Sequence, residues 1–95
     1  MMKGYWVAHV SVTDVEQYKK YVESSAIAFR KFGARILARG GEHTILEGNG
    51  HARNVIIEFP SYQTALDCYN SPEYQQAKEK RRQAGVADIV IVEGA

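Results

Sequence analysis

One cysteine, two prolines and almost no charge imbalance mark what this chain of 95 residues goes without. With Cys68 as the only thiol there is no disulfide within the chain and no thiolate metal cluster. Twelve Lys and Arg stand against 11 Asp and Glu, a formal net charge of +1. No basic excess draws in nucleic acid or an anionic bilayer. The longest apolar stretches are a few residues, far short of the roughly 20 that span a bilayer. Met1-Met2-Lys3-Gly4-Tyr5-Trp6 runs into an alternating pattern, without the apolar core or cleavage site of a secretory signal. A reduced, cytoplasmic compartment is the expectation. Nucleophile elbow, phosphate loop and dinucleotide fingerprint are missing as well: Gly48-Asn49-Gly50 reads as a turn, and no helix follows Gly40-Gly41. No run of residues specifies a reaction.

What is present is a single domain, residues 1–95, with 45% apolar and 24% charged residues, ordinary for a globular chain. Residues 4–12 read as a first strand, with Trp6, Ala8, Val10 and Val12 on one face and Tyr5, Val7, His9 and Ser11 on the other. Thr13-Asp14 stops it and caps a helix whose apolar positions include Val15, Tyr18, Val22, Phe29 and Phe32, closed by Gly33. A second strand covers Ala34 to about Arg39 and is interrupted at Gly40-Gly41, where a bulge is expected. Pairing resumes at Thr44-Ile45-Leu46-Glu47, and Gly48-Asn49-Gly50 makes a hairpin turn into a third strand, Arg53 to Phe59, ended by Pro60. Ser61 starts a helix that Asn70-Ser71-Pro72 breaks and restarts, with Ser71 as N-cap and Pro72 at the first helical position. That second piece runs to about Gln83, and a nearly all-apolar strand, Val86 to Glu93, closes the chain.

The order β-α-β-β-α-β is the split βαβ, ferredoxin-like arrangement, an α+β fold. Right-handed crossovers put both helices on one face of a four-stranded antiparallel sheet, with the first and third strands central. The strands are apolar on both faces, as the last one shows most plainly. Two helices cover only one face. A second copy is the simplest cover for the other, giving a homodimer with a barrel-like pair of sheets.

Among the polar residues, Arg39 and Glu58 stand out because both fall inside strands. An unbroken register puts Arg39 opposite Phe59, and a one-residue bulge at Gly40-Gly41 moves it to face Glu58. That pair either fixes register as a cross-strand ion pair or contacts a ligand. Tyr69, Tyr74 and Arg81 surround the helix break, where a gap in the cover over the sheet is expected. They either pack as core aromatics and a capping Arg, or converge on a carboxylate or phenolate. His9 is either a hydrogen-bonded strand residue or a general base. His43 and His51 flank the hairpin as exposed residues, and no metal-ligand spacing links the three histidines. Cys68 reads as a buried small apolar residue, and Lys78-Glu79-Lys80-Arg81-Arg82 as a solvated helix face.

Tyr5-Trp6, Thr13-Asp14 with Tyr18 and Tyr21, Arg39-Gly40-Gly41, Glu58-Phe59-Pro60-Ser61, Ser71-Pro72-Glu73-Tyr74, Arg81 and Val92-Glu93-Gly94 together carry a resemblance. In order and spacing they resemble the domain-of-unknown-function family 1330, over essentially the whole chain. The resemblance implies a dimeric α/β barrel, a superfamily that includes cofactor-free monooxygenases, muconolactone isomerase-like enzymes, chlorite dismutase-like haem proteins and stress-responsive barrels. It implies a fold and leaves the activity open. The expectation is a homodimeric small-molecule-binding barrel for a small organic acid or aromatic ligand, without cofactor or metal. Its catalytic form is a cofactor-free oxygenase or isomerase-like enzyme. The alternative is a non-catalytic dimerisation or stress-related interaction module.

Overall fold

The computed structural model of the chain describes residues 2–95. The elements are β1 (Gly4–Val12), α1 (Val15–Lys31), β2 (Arg35–Arg39), β3 (Arg53–Phe59), α2 (Tyr62–Asn70), α3 (Pro72–Arg81) and β4 (Gly85–Glu93). They form a four-stranded sheet in the order β2-β3-β1-β4, every pair antiparallel. This is the ferredoxin-like α+β fold, with β1 and β3 central as the connection rules require. No helix among the described residues is long and apolar enough to cross a membrane.

Local chemistry sets the boundaries. Asp14 caps α1 by accepting from the Gln17 amide at 3.1 Å, and Gly33 leaves the helix at φ 69°, where a side chain would be strained. Ser61 caps α2. Ser71 joins two helices: its Oγ donates to the Cys68 carbonyl at 2.7 Å and accepts from the Tyr74 amide at 3.1 Å. Pro72 then opens α3 where its missing N–H costs nothing.

Alternation along β1 buries Trp6, Ala8 and Val10 beneath the helices, joined by Ile57 and Phe59 of β3. Trp6 is the hub. Its ring meets Phe29, Phe59, Tyr69 and Tyr74 at centroid distances of 4.9 to 5.9 Å, and its indole N–H donates to the Ala65 carbonyl at 2.9 Å. The break between α2 and α3 is sealed, since Ala65, Cys68 and Tyr74 are wholly buried there. At Asn70-Ser71-Pro72 itself the Ser71 hydroxyl ties the two helices together, and the opening in the cover lies to the side, between α2, α3 and β4.

Two further expectations are corrected in the β2–β3 connection. Thr44–Glu47 forms no strand, and Gly48-Asn49-Gly50 makes no tight hairpin; residues 40–52 are an irregular loop. The bulge lies at Leu37, between the pairs Ile36–Ile57 and Ala38–Ile56, and not at Gly40-Gly41. Arg39 consequently pairs with Val55, while Glu58 lies opposite Arg35. The bulge decides which way Arg39 faces. In an unbroken register it would share the outer face with Asn54, and the extra residue turns it to the helix side.

Among the described residues nothing covers the outer face of the sheet. Val7 lies between Ile56 and Val90, and Tyr5 between Glu58 and Val92. Val90 is 61% exposed and Ile56 39%. Beyond this apolar centre the face turns polar. His9 Nδ1 lies 2.7 Å from Asn54 Oδ1, and His51 lies 2.7 Å from Ser11 Oγ and 2.9 Å from Asp88 Oδ2. His51, expected in solvent, is half-buried by these contacts.

Candidate functional site

A cavity of about 200 Å³ lies between α1 and the sheet. Its floor is Trp6, Ala8 and Val10 with Val55 and Ile57, which strand alternation directs to the helix side. Tyr18, Tyr21, Ser25 and Phe29 recur at three- and four-residue spacing along α1 and form its roof. Four arginines, Arg30, Arg39, Arg53 and Arg81, line it together with these apolar residues. Among the described residues no Asp or Glu lines the cavity. Among the described residues none of the four makes an ion pair with a carboxylate.

Arg81 is the innermost of them, only 8% exposed. Its guanidinium carbon sits 5.5 Å from the Tyr21 ring centroid, and its Nε is buried without a hydrogen-bond partner. Arg53 repeats the arrangement: it lies 5.3 Å from the Tyr18 ring, and its Nε too is buried and unpartnered. Beside Arg81 the hydroxyls of Tyr21 and Tyr74 are 2.9 Å apart. Burial pushes both phenols above their ordinary pKa, against the opposing pull of the Arg81 cation, so both remain O–H groups at neutral pH. The corner thus offers donors, which suits an acceptor carrying negative charge.

The residues singled out in the sequence divide between the two faces of the sheet. Arg39 and Arg81 meet at the cavity, Arg39 exposed at its rim and Arg81 buried. Arg81 is thereby an exception to the solvated face expected of 78–82, because Tyr74, Ala77 and Arg81 form the buried stripe of α3. Tyr74 does not line the cavity and supports it as a core residue packed on Trp6 and Tyr21. Tyr69 lines a separate, more open groove of about 470 Å³ with Tyr62, Leu66 and Lys78, which also touches Arg81. Glu58 and His9 are on the outer face, where Glu58 accepts from the Tyr5 hydroxyl at 3.0 Å. The expected Arg39–Glu58 pair is not formed, since the Leu37 bulge sends the two side chains to opposite faces.

Sequence reasoning passed over Arg53, Arg30 and the role of Tyr21. For Arg53 the signal was available: it stands two residues before Val55, so alternation places it on the same face as Val55, Ile57 and Phe59. Among the described residues no group of three or more His, Cys, Asp or Glu side chains is placed to hold a metal ion.

Three solved structures indicate the company this fold keeps. A protein of unknown function from Rhodopseudomonas palustris, RPA0582, is 21% identical with a TM-score of 0.76, over 99% of this chain and 83% of that one. SnoaB from Streptomyces nogalater, a cofactor-independent oxygenase, is 10% identical with a TM-score of 0.67, over 97% and 92%. A dimeric, ferredoxin-like protein of unknown function from Bacteroides fragilis is 15% identical with a TM-score of 0.56, over 96% and 95%. At such identities the likeness is one of fold. Comparison with curated proteins gave no match. Residues 3–95 match the model of a domain of unknown function, DUF1330, and the chain belongs to that family.

Proposed function

We propose that the protein is a homodimer that binds a small organic acid in the cavity between α1 and the sheet of each subunit. The observation that carries this is Arg81, a buried cation with an unpartnered Nε at a cavity whose floor and roof are mainly apolar and aromatic. A buried donor left unpaired costs on the order of 1–3 kcal/mol. An acidic ligand would recover that cost, and the aromatic roof would cover its carbon body. The dimer is supported by the uncovered outer face of Val7, Ile56, Val90 and Val92, and the ferredoxin-like neighbour from Bacteroides fragilis is described as dimeric. An interface of at least about 1,000 Å² is expected. A cofactor-free oxygenase or isomerase would use the same cavity, with its substrate held as a carboxylate or enolate. Dioxygen uptake, or conversion of the bound acid, would separate such an enzyme from a binder.

The test is a thermal-shift panel of small aromatic and aliphatic acids beside their neutral amides. A ligand that binds only the native state adds about 2.7 kcal/mol of stability at a hundredfold excess over Kd. Acids should raise the melting temperature and amides should not. Arg81→Ala should abolish the acid effect while sedimentation still shows a dimer. Equal shifts with acids and amides, or an undiminished acid shift in Arg81→Ala, would overturn the proposal. No shift with any acid would favour a dimerisation module.

A further inference from the structure

The cavity carries more positive charge than one carboxylate can answer, and we infer that its ligand is a dianion, with acidic groups at the two ends of a body about the size of one ring. This rests on the acid-binding role proposed above and specifies its substrate class. The four points along the roof are the Arg81 guanidinium, the Tyr21 ring at 5.5 Å from it, the Tyr18 ring at 5.2 Å from that of Tyr21, and the Arg53 guanidinium at 5.3 Å from Tyr18. Two cations therefore flank a pair of tyrosines, and each has a buried Nε without a partner. Like charges in a partly desolvated site repel, and the wall supplies no carboxylate to separate them. A monoanion at Arg81 leaves Arg53 unanswered.

The two ends differ in chemistry. At Arg81 the Tyr21 and Tyr74 hydroxyls share one hydrogen bond, so one of their two protons has no acceptor in the chain. Tyr21 lines the cavity, so this end presents a hydroxyl, hydrogen-bonded to that of Tyr74, close to the Arg81 guanidinium. At the other end Arg53 lies against the backbone at Gly40, which has no side chain; a Cβ there would stand 2.8 Å from a terminal guanidinium nitrogen. Arg39, re-aimed by the Leu37 bulge, adds a second cation near this end. Between the ends the floor of Ala8, Val10 and Val55 is apolar. An apolar cavity of about 150 Å³ accepts one benzene-sized ring. The observed volume of about 200 Å³ leaves room for a ring of that size and short acidic substituents.

The experiment is calorimetric titration of the whole protein with benzoate, with phthalate, isophthalate and terephthalate, and with the half-amide of each diacid. The best diacid should bind wild type about tenfold tighter than both benzoate and its own half-amide, the gain expected of one further charge-assisted contact. Arg53→Ala should lower diacid affinity more than benzoate affinity, so that the margin collapses, and Arg53→Lys should restore part of it. If benzoate and half-amides match every diacid, or Arg53→Ala weakens all ligands equally, the second anionic group is not recognised, and acid binding itself still stands. If neither diacids nor benzoate bind, the acid-binding role falls with it. The wild-type comparison of diacid with half-amide decides the matter even where Arg53→Ala does not fold.

Discussion

Cys68 shows how burial alone sets a side chain's chemistry. It lies on α2, wholly buried, and desolvation, with a smaller effect from the Glu73 charge, pushes its thiol from an ordinary value of 9.0 up to about 12. At neutral pH it is a thiol with no access to reagents. Iodoacetamide should leave the native protein unmodified and alkylate it only after unfolding, as mass spectrometry would show. The raised value also fixes a pH dependence. Above about 9 the unfolded chain loses the thiol proton while the folded chain keeps it, so stability should fall as pH rises from 9.0 towards about 12. The raised phenols of Tyr21 and Tyr74 act in the same direction. Denaturant midpoints that stay flat across that window would contradict this assignment.

The joint between α2 and α3 carries the most consequence for the cover over the sheet. Ser71 is only 5% exposed, and its hydroxyl serves both helices, donating to the Cys68 carbonyl and capping the Tyr74 amide. Ser71→Ala should cost about 1–2 kcal/mol, the upper range for an N-cap, because the Cys68 carbonyl also loses the shorter of its two hydrogen bonds and keeps only the Ser71 amide at 3.2 Å. Urea unfolding with an unchanged slope would measure it. A cost near zero would mean that the helices hold their angle by packing alone. In the sheet, the bulge at Leu37 has the corresponding importance. Side chains alternate strictly along a strand, so one extra residue carries Arg39 from the outer face to the cavity.

For the whole molecule, the decisive feature is the uncovered outer face. Val90 lies opposite Val7 at its apolar centre and is 61% exposed in the single chain. Val90→Glu would place a charge at the apolar centre of the proposed interface, beside Val7 and Ile56, at a cost of several kcal/mol if desolvated. Sedimentation should then show monomer at concentrations where wild type is dimeric. A wild-type monomer at micromolar concentration, or a Val90→Glu dimer, would remove the sheet-to-sheet arrangement.

Element order, the caps at Asp14, Ser61 and Ser71, and the span of β3 were legible in the sequence, because each depends on neighbours within a few residues. The apolar outer face was legible for the same reason: alternation in β1 and the unbroken apolar run of β4 are local patterns. The cavity was not. Its members come from β1, α1, β2, β3, α3 and β4, and a one-residue slip in β2 chooses whether Arg39 belongs to it. Glu58 and Tyr74 looked like site residues from their chain positions, yet the first faces outward and the second is buried in the core beside the site. Arg81 sat in a charged run that local rules assign to solvent, and only the packing of α1 against α3 buries it. Short-range periodicity sets the elements and the faces they must cover. Which cations end up together without a counter-ion follows from burial and register, and these depend on residues far apart in the chain.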